Sequence, residues 1–138
     1  MAKRSNEDVF LDALTKWKRR LLPADWEVRL CSDAERVKEE GDGAGALAVA
    51  VSDSRYQQAH IYYDPARVET NERGGLDIAA CHELTHVVLS PFVDMVVEAI
   101  DALPASQRAG FLAWYKKEHE AVTTAIERIF GRVRKWDR

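Results

Sequence analysis

Residues 78–89 decide the fold expected for this chain, and they read Ile-Ala-Ala-Cys-His-Glu-Leu-Thr-His-Val-Val-Leu. The two histidines of this stretch, His82 and His86, are four residues apart and are flanked by apolar residues on both sides. In an α-helix this spacing brings two side chains to the same face, one turn apart. The stretch therefore predicts a helix over about residues 76–90 that carries both imidazoles on one face.

The residues around the two histidines match the zinc-binding pattern HExxH. Imidazoles one helical turn apart can direct their nitrogens at a single metal ion, and zinc hydrolases commonly use this spacing. Glu83 lies about 100° around the helix from His82, so it is placed to act on a water at the metal rather than on the metal itself. We therefore predict His82 and His86 as zinc ligands and Glu83 as the general base. The alternative is a pair of surface or core histidines without a metal.

Projection of this helix at about 100° per residue separates two faces. One face carries His82, Glu83 and His86 together with Ala79. The other face carries apolar or small side chains, namely Cys81, Leu84, Val87 and Val88. A helix with its core on one side and a His-Glu-His cluster on the other is typical of the floor of a cleft. Cys81 is accordingly predicted to be a small core residue, with a role at the site as the alternative.

A catalytic zinc site usually has a third protein ligand, and the candidates after the motif are Glu118, His119 and Glu120. We predict Glu120, because it lies off the apolar stripe of its helix, as the two histidines lie off the core face of theirs. The periodicity also supports Glu118, which falls on the apolar stripe with Tyr115 and Val122, because a buried acid should be paired or bind a metal. His119 remains a third alternative, either as a ligand or as an electrophile that stabilises an oxyanion.

The remainder of the chain predicts an α+β domain. Residues 6–21 indicate an amphipathic helix that ends before Pro23, and a long helix is expected from about residue 106 to residue 136. Short strands are expected near residues 26–30, 46–51 and 60–63, with a glycine-rich loop at 41–45 and a short helix over about 93–100. We predict a small three-stranded sheet, mostly antiparallel. Its strand at 60–63 is either the sheet edge beside the cleft, where an extended peptide can bind, or an ordinary core strand.

Length and composition set limits on the class of protein. A chain of 138 residues suits a single domain, and 46% hydrophobic with 31% charged residues indicates a globular chain rather than a disordered one. The net charge of −3 provides no general basic field for nucleic acid. No run of about 20 apolar residues predicts a membrane span, and the first eight residues do not have the apolar core that is typical of a signal peptide. We expect a cytoplasmic protein with a protein or peptide substrate; its oligomeric state stays open.

Three segments resemble a family of small zincin-like proteins that are typical of phages and prophages. They are Asp25-Trp26-Glu27-Val28, Tyr56-Gln57-Gln58-Ala59-His60-Ile61-Tyr62-Tyr63-Asp64-Pro65, and Cys81 through the HELTH motif to Leu89. The likeness runs from about residue 10 to residue 130, and only the HELTH motif is highly specific. The resemblance implies one zincin-like metallopeptidase domain over residues 1–138, a small sheet above the active-site helix, Zn²⁺ as the cofactor and the cytoplasm of a bacterial host, with a phage or prophage origin.

The same resemblance bears on the third ligand. Residues Glu120-Ala121-Val122-Thr123-Thr124 resemble the second motif of gluzincins, in which the glutamate ligand is followed four residues later by an aspartate. Thr124 replaces that aspartate here, so the support that it normally gives to the site is missing. The predicted function is a zinc metallopeptidase that hydrolyses peptide bonds. The alternatives are a zinc-binding regulatory or interaction protein of phage origin without significant turnover, and a structural domain without metal.

Overall fold

The computed structural model describes residues 2–41 and 45–133, and within these it has the predicted α+β architecture. Its elements are α1 (Asn6–Leu21), β1 (Glu27–Ser32), α2 (Ala34–Glu40), β2 (Ala48–Asp53), β3 (Gln58–Tyr63), α3 (Pro65–Thr70), α4 (Arg73–Asp101) and α5 (Ala105–Val133). The bounds of α1 agree with the predicted helix. Residues 42–44 of the predicted loop and residues 134–138 of the predicted C-terminal helix lie outside the described residues.

The three strands form a mixed sheet in the order β1-β3-β2. β1 pairs with β3 in parallel, whereas β2 and β3 form an antiparallel hairpin. The prediction of a mostly antiparallel sheet was therefore wrong, because α2 and β2 carry the chain across the sheet before β3 returns in the direction of β1. The strand at 60–63 is also not the sheet edge. It belongs to the central strand β3, whose Ala59, Ile61 and Tyr63 are buried, and the edge beside the cleft is β2.

Two short helices, α2 and α3, were not predicted, and in both an aspartate provides the helix start. The side chain of Asp33 accepts a hydrogen bond from the backbone N–H of Arg36, and that of Asp64 accepts one from Ala66. Pro65 occupies the first turn of α3, where the missing N–H of proline carries no cost. The Asp64-Pro65 pair, interpreted from the sequence as the end of a strand, thus also begins a helix.

Helix α4 is a single helix of 29 residues that continues through Pro91. The sequence predicted two helices, because a proline removes one backbone hydrogen bond and usually ends or bends a helix. In the structure the hydroxyl of Ser90 donates to the Val87 carbonyl over 2.7 Å. That carbonyl is the acceptor that the N–H of residue 91 would otherwise have used. The lost hydrogen bond is therefore replaced locally, and the HExxH segment and the following turns form one continuous helix.

The core fixes the orientation of α4. Helix α1 packs along α4, while β2 and α5 contact α4 on its other sides. Fully or almost fully buried residues of the shared core are Phe10, Leu14, Trp17, Ile61, Leu76, Ala80, Cys81, Leu84 and Val87. At about 25 cal/mol per Å² of apolar surface, each large side chain in this set contributes roughly 1.5–3 kcal/mol. With one face of α4 held in this core, its His-Glu-His face is directed toward β2 and α5.

Helices α4 and α5 are long enough to prompt the question of membrane insertion. Among the described residues, however, no helix combines the length and the apolar character needed to cross a membrane.

Candidate metal centre

The predicted site residues lie in one cleft of about 580 Å³. Its floor is α4, one wall is the edge strand β2, and the opposite wall is α5. His82, Glu83 and His86 line the floor, Ala50 lines the β2 wall and Glu120 lines the α5 wall. The structure therefore brings together the four residues that the sequence singled out, one of them from a helix that begins 19 residues after His86.

Three candidate ligand groups converge in this cleft. The Nε2 atoms of His82 and His86 are 3.1 Å apart, and the two Glu120 carboxylate oxygens lie 3.3 Å from His86 Nε2 (Oε1) and 3.6 Å from His82 Nε2 (Oε2). Zinc binds nitrogen at about 2.0–2.1 Å, which in tetrahedral geometry places neighbouring ligand atoms roughly 3.3 Å apart. The observed separations match that value, and two imidazoles with one carboxylate are a donor set that zinc favours. The residues present therefore fit a zinc ion.

The protonation state of His86 suits a ligand. Burial, and secondarily the neighbouring His82 and His119, lower the pKa of His86 from 6.5 to about 3. The imidazole is therefore neutral at physiological pH, and a metal does not have to displace a proton from it.

Glu83 is buried directly beside the ligand cluster. Its side chain is 9% exposed, and its carboxyl group accepts a hydrogen bond from the backbone N–H of Ala50 in β2. Burial raises the pKa of Glu83 from 4.5 to about 8, with further contributions from the negative charges of Glu120 and Glu127. A carboxyl group with a pKa close to neutrality is matched to both accepting and donating a proton in a reaction.

The structure separates the three alternatives for the third position. Both Glu118 and Glu120 are exposed, but only Glu120 belongs to the cluster of groups able to hold a cation among the described residues. The expectation that Glu118 lies on a buried apolar stripe was wrong. Val122 and Ile129 of that stripe are 48% and 56% exposed, whereas Thr123 is fully buried. Val88 of α4, predicted on the core face, is likewise exposed.

Two residues of α5 lie behind the histidines rather than between them. His119 Nε2 is 2.9 Å from His86 Nδ1, and Glu127 Oε2 is 2.5 Å from His82 Nδ1. In this arrangement His119 contacts His86 at Nδ1, whereas Glu120 lies near His86 Nε2. Glu127 was not predicted from the sequence. Its signal was the seven-residue spacing from Glu120, which places two side chains two turns apart on one helix face.

Cys81 is a core residue, as predicted. It is 2% exposed within the core, and burial raises the pKa of its thiol to about 11. A thiol with that pKa carries almost no thiolate at neutral pH, so it is unsuited to act as a nucleophile or a ligand. Adjacency to His82 in the sequence does not bring it into the cleft, because the two side chains diverge around the helix.

Comparisons with models of known families, with curated proteins and with solved structures find no match to this chain. The resemblance to small zincin-like phage proteins therefore stays a prediction.

Proposed function

We propose that this protein is a zinc-dependent hydrolase, and specifically a peptidase, whose metal ligands are His82, His86 and Glu120. The observation that carries the proposal is the convergence of two imidazole nitrogens, 3.1 Å apart, with the Glu120 carboxylate, next to the buried carboxyl group of Glu83. The two Glu120 oxygens lie 3.3 Å from His86 Nε2 and 3.6 Å from His82 Nε2. Two imidazoles and a carboxylate with an adjacent buried acid form the donor set and the base that hydrolytic zinc sites use.

Each residue has a defined part in the hydrolysis. A zinc ion held by the three ligands would supply Lewis acidity, polarising the carbonyl oxygen and acidifying water. The Glu83 carboxylate accepts the proton of the attacking water, and the same carboxyl group then donates it to the leaving nitrogen. Glu83 lines the same cleft as the three ligands, so one carboxyl group is placed to perform both transfers. The hydrogen bond from Ala50 holds the carboxyl group in place between β2 and α4.

The position of β2 supports a peptide as the substrate. β2 is an edge strand: β3 pairs along one side, and its other side forms the wall of the cleft. The N–H of Ala50 points into the cleft, because it bonds to Glu83. Backbone groups alternate along a strand, so those of Ala48 and Ser52 point the same way. An extended peptide pairs with such groups by adding a strand to the sheet.

The test has two stages. The protein is purified without added metal and analysed for zinc, and it is then incubated with a diverse peptide mixture whose products are read by mass spectrometry. We expect about one zinc per chain and cleavage that is lost in Glu83→Gln with zinc still bound. The matched control is Glu118→Gln, the same chemical change at an exposed position of α5, and it should cleave normally. Cleavage that survives in Glu83→Gln would remove Glu83 from the mechanism.

A second candidate function is a zinc-binding interaction module without turnover. It is favoured by apolar side chains that are exposed on the α4–α5 hairpin, of which Phe92, Met95, Phe111 and Trp114 are 44–61% exposed. Exposed apolar side chains of this size are typical of surfaces that contact other proteins. Cleavage by the wild type and its loss in Glu83→Gln would favour the peptidase. Zinc binding with equal absence of cleavage in both would favour the module.

A further inference from the structure

Each predicted ligand histidine has a hydrogen-bond partner at Nδ1, the ring nitrogen that faces away from the cluster. His82 Nδ1 lies 2.5 Å from Glu127 Oε2, and the two side chains are 23% and 16% exposed. His86 Nδ1 lies 2.9 Å from His119 Nε2. Both partners belong to α5, the helix that also provides Glu120. Helix α5 therefore contacts each histidine at Nδ1, on the side of the ring away from the cluster.

The direction of these hydrogen bonds follows from the chemistry of imidazole. A neutral histidine that presents an unprotonated Nε2 to a metal carries its proton on Nδ1, so that Nδ1 donates. The carboxylate of Glu127 is an acceptor for the His82 proton. Nε2 of His119 accepts the His86 proton when His119 carries its own proton on Nδ1. The ring of Tyr115 stacks on His119 at a centroid distance of 5.7 Å and an interplanar angle of 26°, which fixes the plane of that ring.

The helical spacing explains how Glu127 reaches His82. Seven residues separate Glu120 from Glu127, which is close to two full turns, so both side chains project from the same face of α5 toward α4. α5 runs beside α4 with Glu120 near both histidines and Glu127 near His82. Thr124 occupies the position at which the gluzincin-like motif has an aspartate. The longer glutamate side chain one turn later provides a carboxylate where the sequence had left none.

We propose that Glu127 and His119 are positioning residues that hold the outer nitrogens of His82 and His86 and so aim both Nε2 atoms at one metal ion. The inference rests on the metal site of the proposed function and adds the residues that set its affinity. A carboxylate partner also raises the basicity of the imidazole that it contacts, whereas a neutral imidazole partner only orients it. Glu127 therefore contributes to both orientation and donor strength, and His119 contributes to orientation.

The test measures metal affinity rather than activity. The zinc dissociation constant of the full chain is determined at pH 7.5 by competition with a chromophoric chelator for the wild type, Glu127→Ala, Glu127→Gln and the exposed control Glu118→Gln. Loss of an outer hydrogen-bond partner typically weakens metal binding by about 10- to 100-fold. We expect that loss for Glu127→Ala, a smaller one for Glu127→Gln, whose amide oxygen still accepts the bond, and a value within about twofold of wild type for the control.

The zinc dissociation constants of His119 variants test the role of His119 independently of Glu127. His119→Ala removes the acceptor for His86, whereas His119→Gln provides an amide oxygen that restores it. We expect weaker zinc binding in the alanine variant and partial recovery in the glutamine variant. Nitrogen-15 NMR of the ring nitrogens in the zinc-loaded protein reports the proton on Nδ1 of each ligand histidine. Conversion of Glu127 to Gln should shift the His82 Nδ1 signal and leave that of His86 in place.

The outcomes separate this inference from the proposed function. If the wild type binds no zinc, both are wrong. If the wild type binds zinc and Glu127→Ala and His119→Ala bind it equally well, only the positioning role is wrong. If an alanine variant fails to fold, Glu127→Gln and its NMR signal decide the question, and an unchanged His82 Nδ1 signal there overturns the role of Glu127.

Discussion

The buried carboxyl group of Glu83 should make the stability of the metal-free protein depend on pH, and Glu83→Gln should remove that dependence. Burial raises the pKa of Glu83 from 4.5 to about 8 in the folded chain. Between these values the folded protein keeps a proton that the unfolded chain has lost. The folded state thus binds more protons, and the free energy of unfolding falls as pH rises from 4.5 to 8. Below 4.5 both states are protonated and no penalty remains.

The magnitude follows from the same two values. Each pKa unit corresponds to 1.36 kcal/mol, so the ionisation of Glu83 costs up to roughly 5 kcal/mol above pH 8. Glutamine cannot ionise but still accepts the hydrogen bond from Ala50. The unfolding free energy of Glu83→Gln minus that of the wild type should therefore be larger at pH 9 than at pH 4 by several kcal/mol. The depressed pKa of His86, which reduces stability below pH 6.5, acts equally in both proteins and cancels.

The assay is urea unfolding of chelator-treated wild type, Glu83→Gln and Glu118→Gln at pH 4, 6, 7.5 and 9. The quantity compared is the difference in unfolding free energy between variant and wild type at each pH. It should rise steadily for Glu83→Gln and stay flat for the control, whose side chain is exposed. If the difference in unfolding free energy for Glu83→Gln does not change with pH, Glu83 titrates normally and does not keep its proton in the folded chain above pH 4.5.

Three further outcomes are expected. Ser90→Ala should destabilise the protein by about 1–3 kcal/mol, because the Val87 carbonyl loses its donor, and adding Pro91→Ala should restore most of that loss in urea unfolding, whereas no recovery would contradict the helix repair. Leu84→Ala should lower the free energy of unfolding by about 2–5 kcal/mol in the same assay, because it leaves a cavity at a fully buried core position. A loss below about 1 kcal/mol would contradict the packing of Leu84. Free zinc at a thousand times its dissociation constant should stabilise the wild type by about 4 kcal/mol in thermal unfolding, and Glu120→Ala at the same zinc concentration should lose most of that gain; equal stabilisation of both proteins would exclude Glu120 as a ligand.

Local signals in the sequence were sufficient to predict α1, the helical nature of the motif and a strand at residues 60–63. The four-residue spacing of His82 and His86 determines their common face whatever the rest of the chain does. Glu120 was predicted by comparison with the two histidines, which lie off the core face of their helix, and from the gluzincin-like motif. The helices, the strand and the common face of the histidines depend only on residues within two turns or one strand of each other.

The features that escaped prediction depend on contacts between distant segments. The apolar residues of α5 predicted a core face, but Val122 and Ile129 are exposed, whereas Thr123 is buried and His119 contacts His86 of α4. Helix α4 continues through Pro91 with the Ser90 hydroxyl bonded to the Val87 carbonyl, and no sequence pattern indicates this role of Ser90. The partnership of Glu127 with His82 joins residues 45 positions apart. None of these follows from periodicity, which reports burial but not the identity of the neighbour.

The most direct measurement of the central claim is a crystal structure of the protein grown with zinc and recorded at the zinc absorption edge. We predict one anomalous peak between the Nε2 atoms of His82 and His86, within about 2.0–2.2 Å of both and of a Glu120 carboxylate oxygen. A structure without a peak at this place, or with the two imidazole rings turned away from each other, would contradict the account.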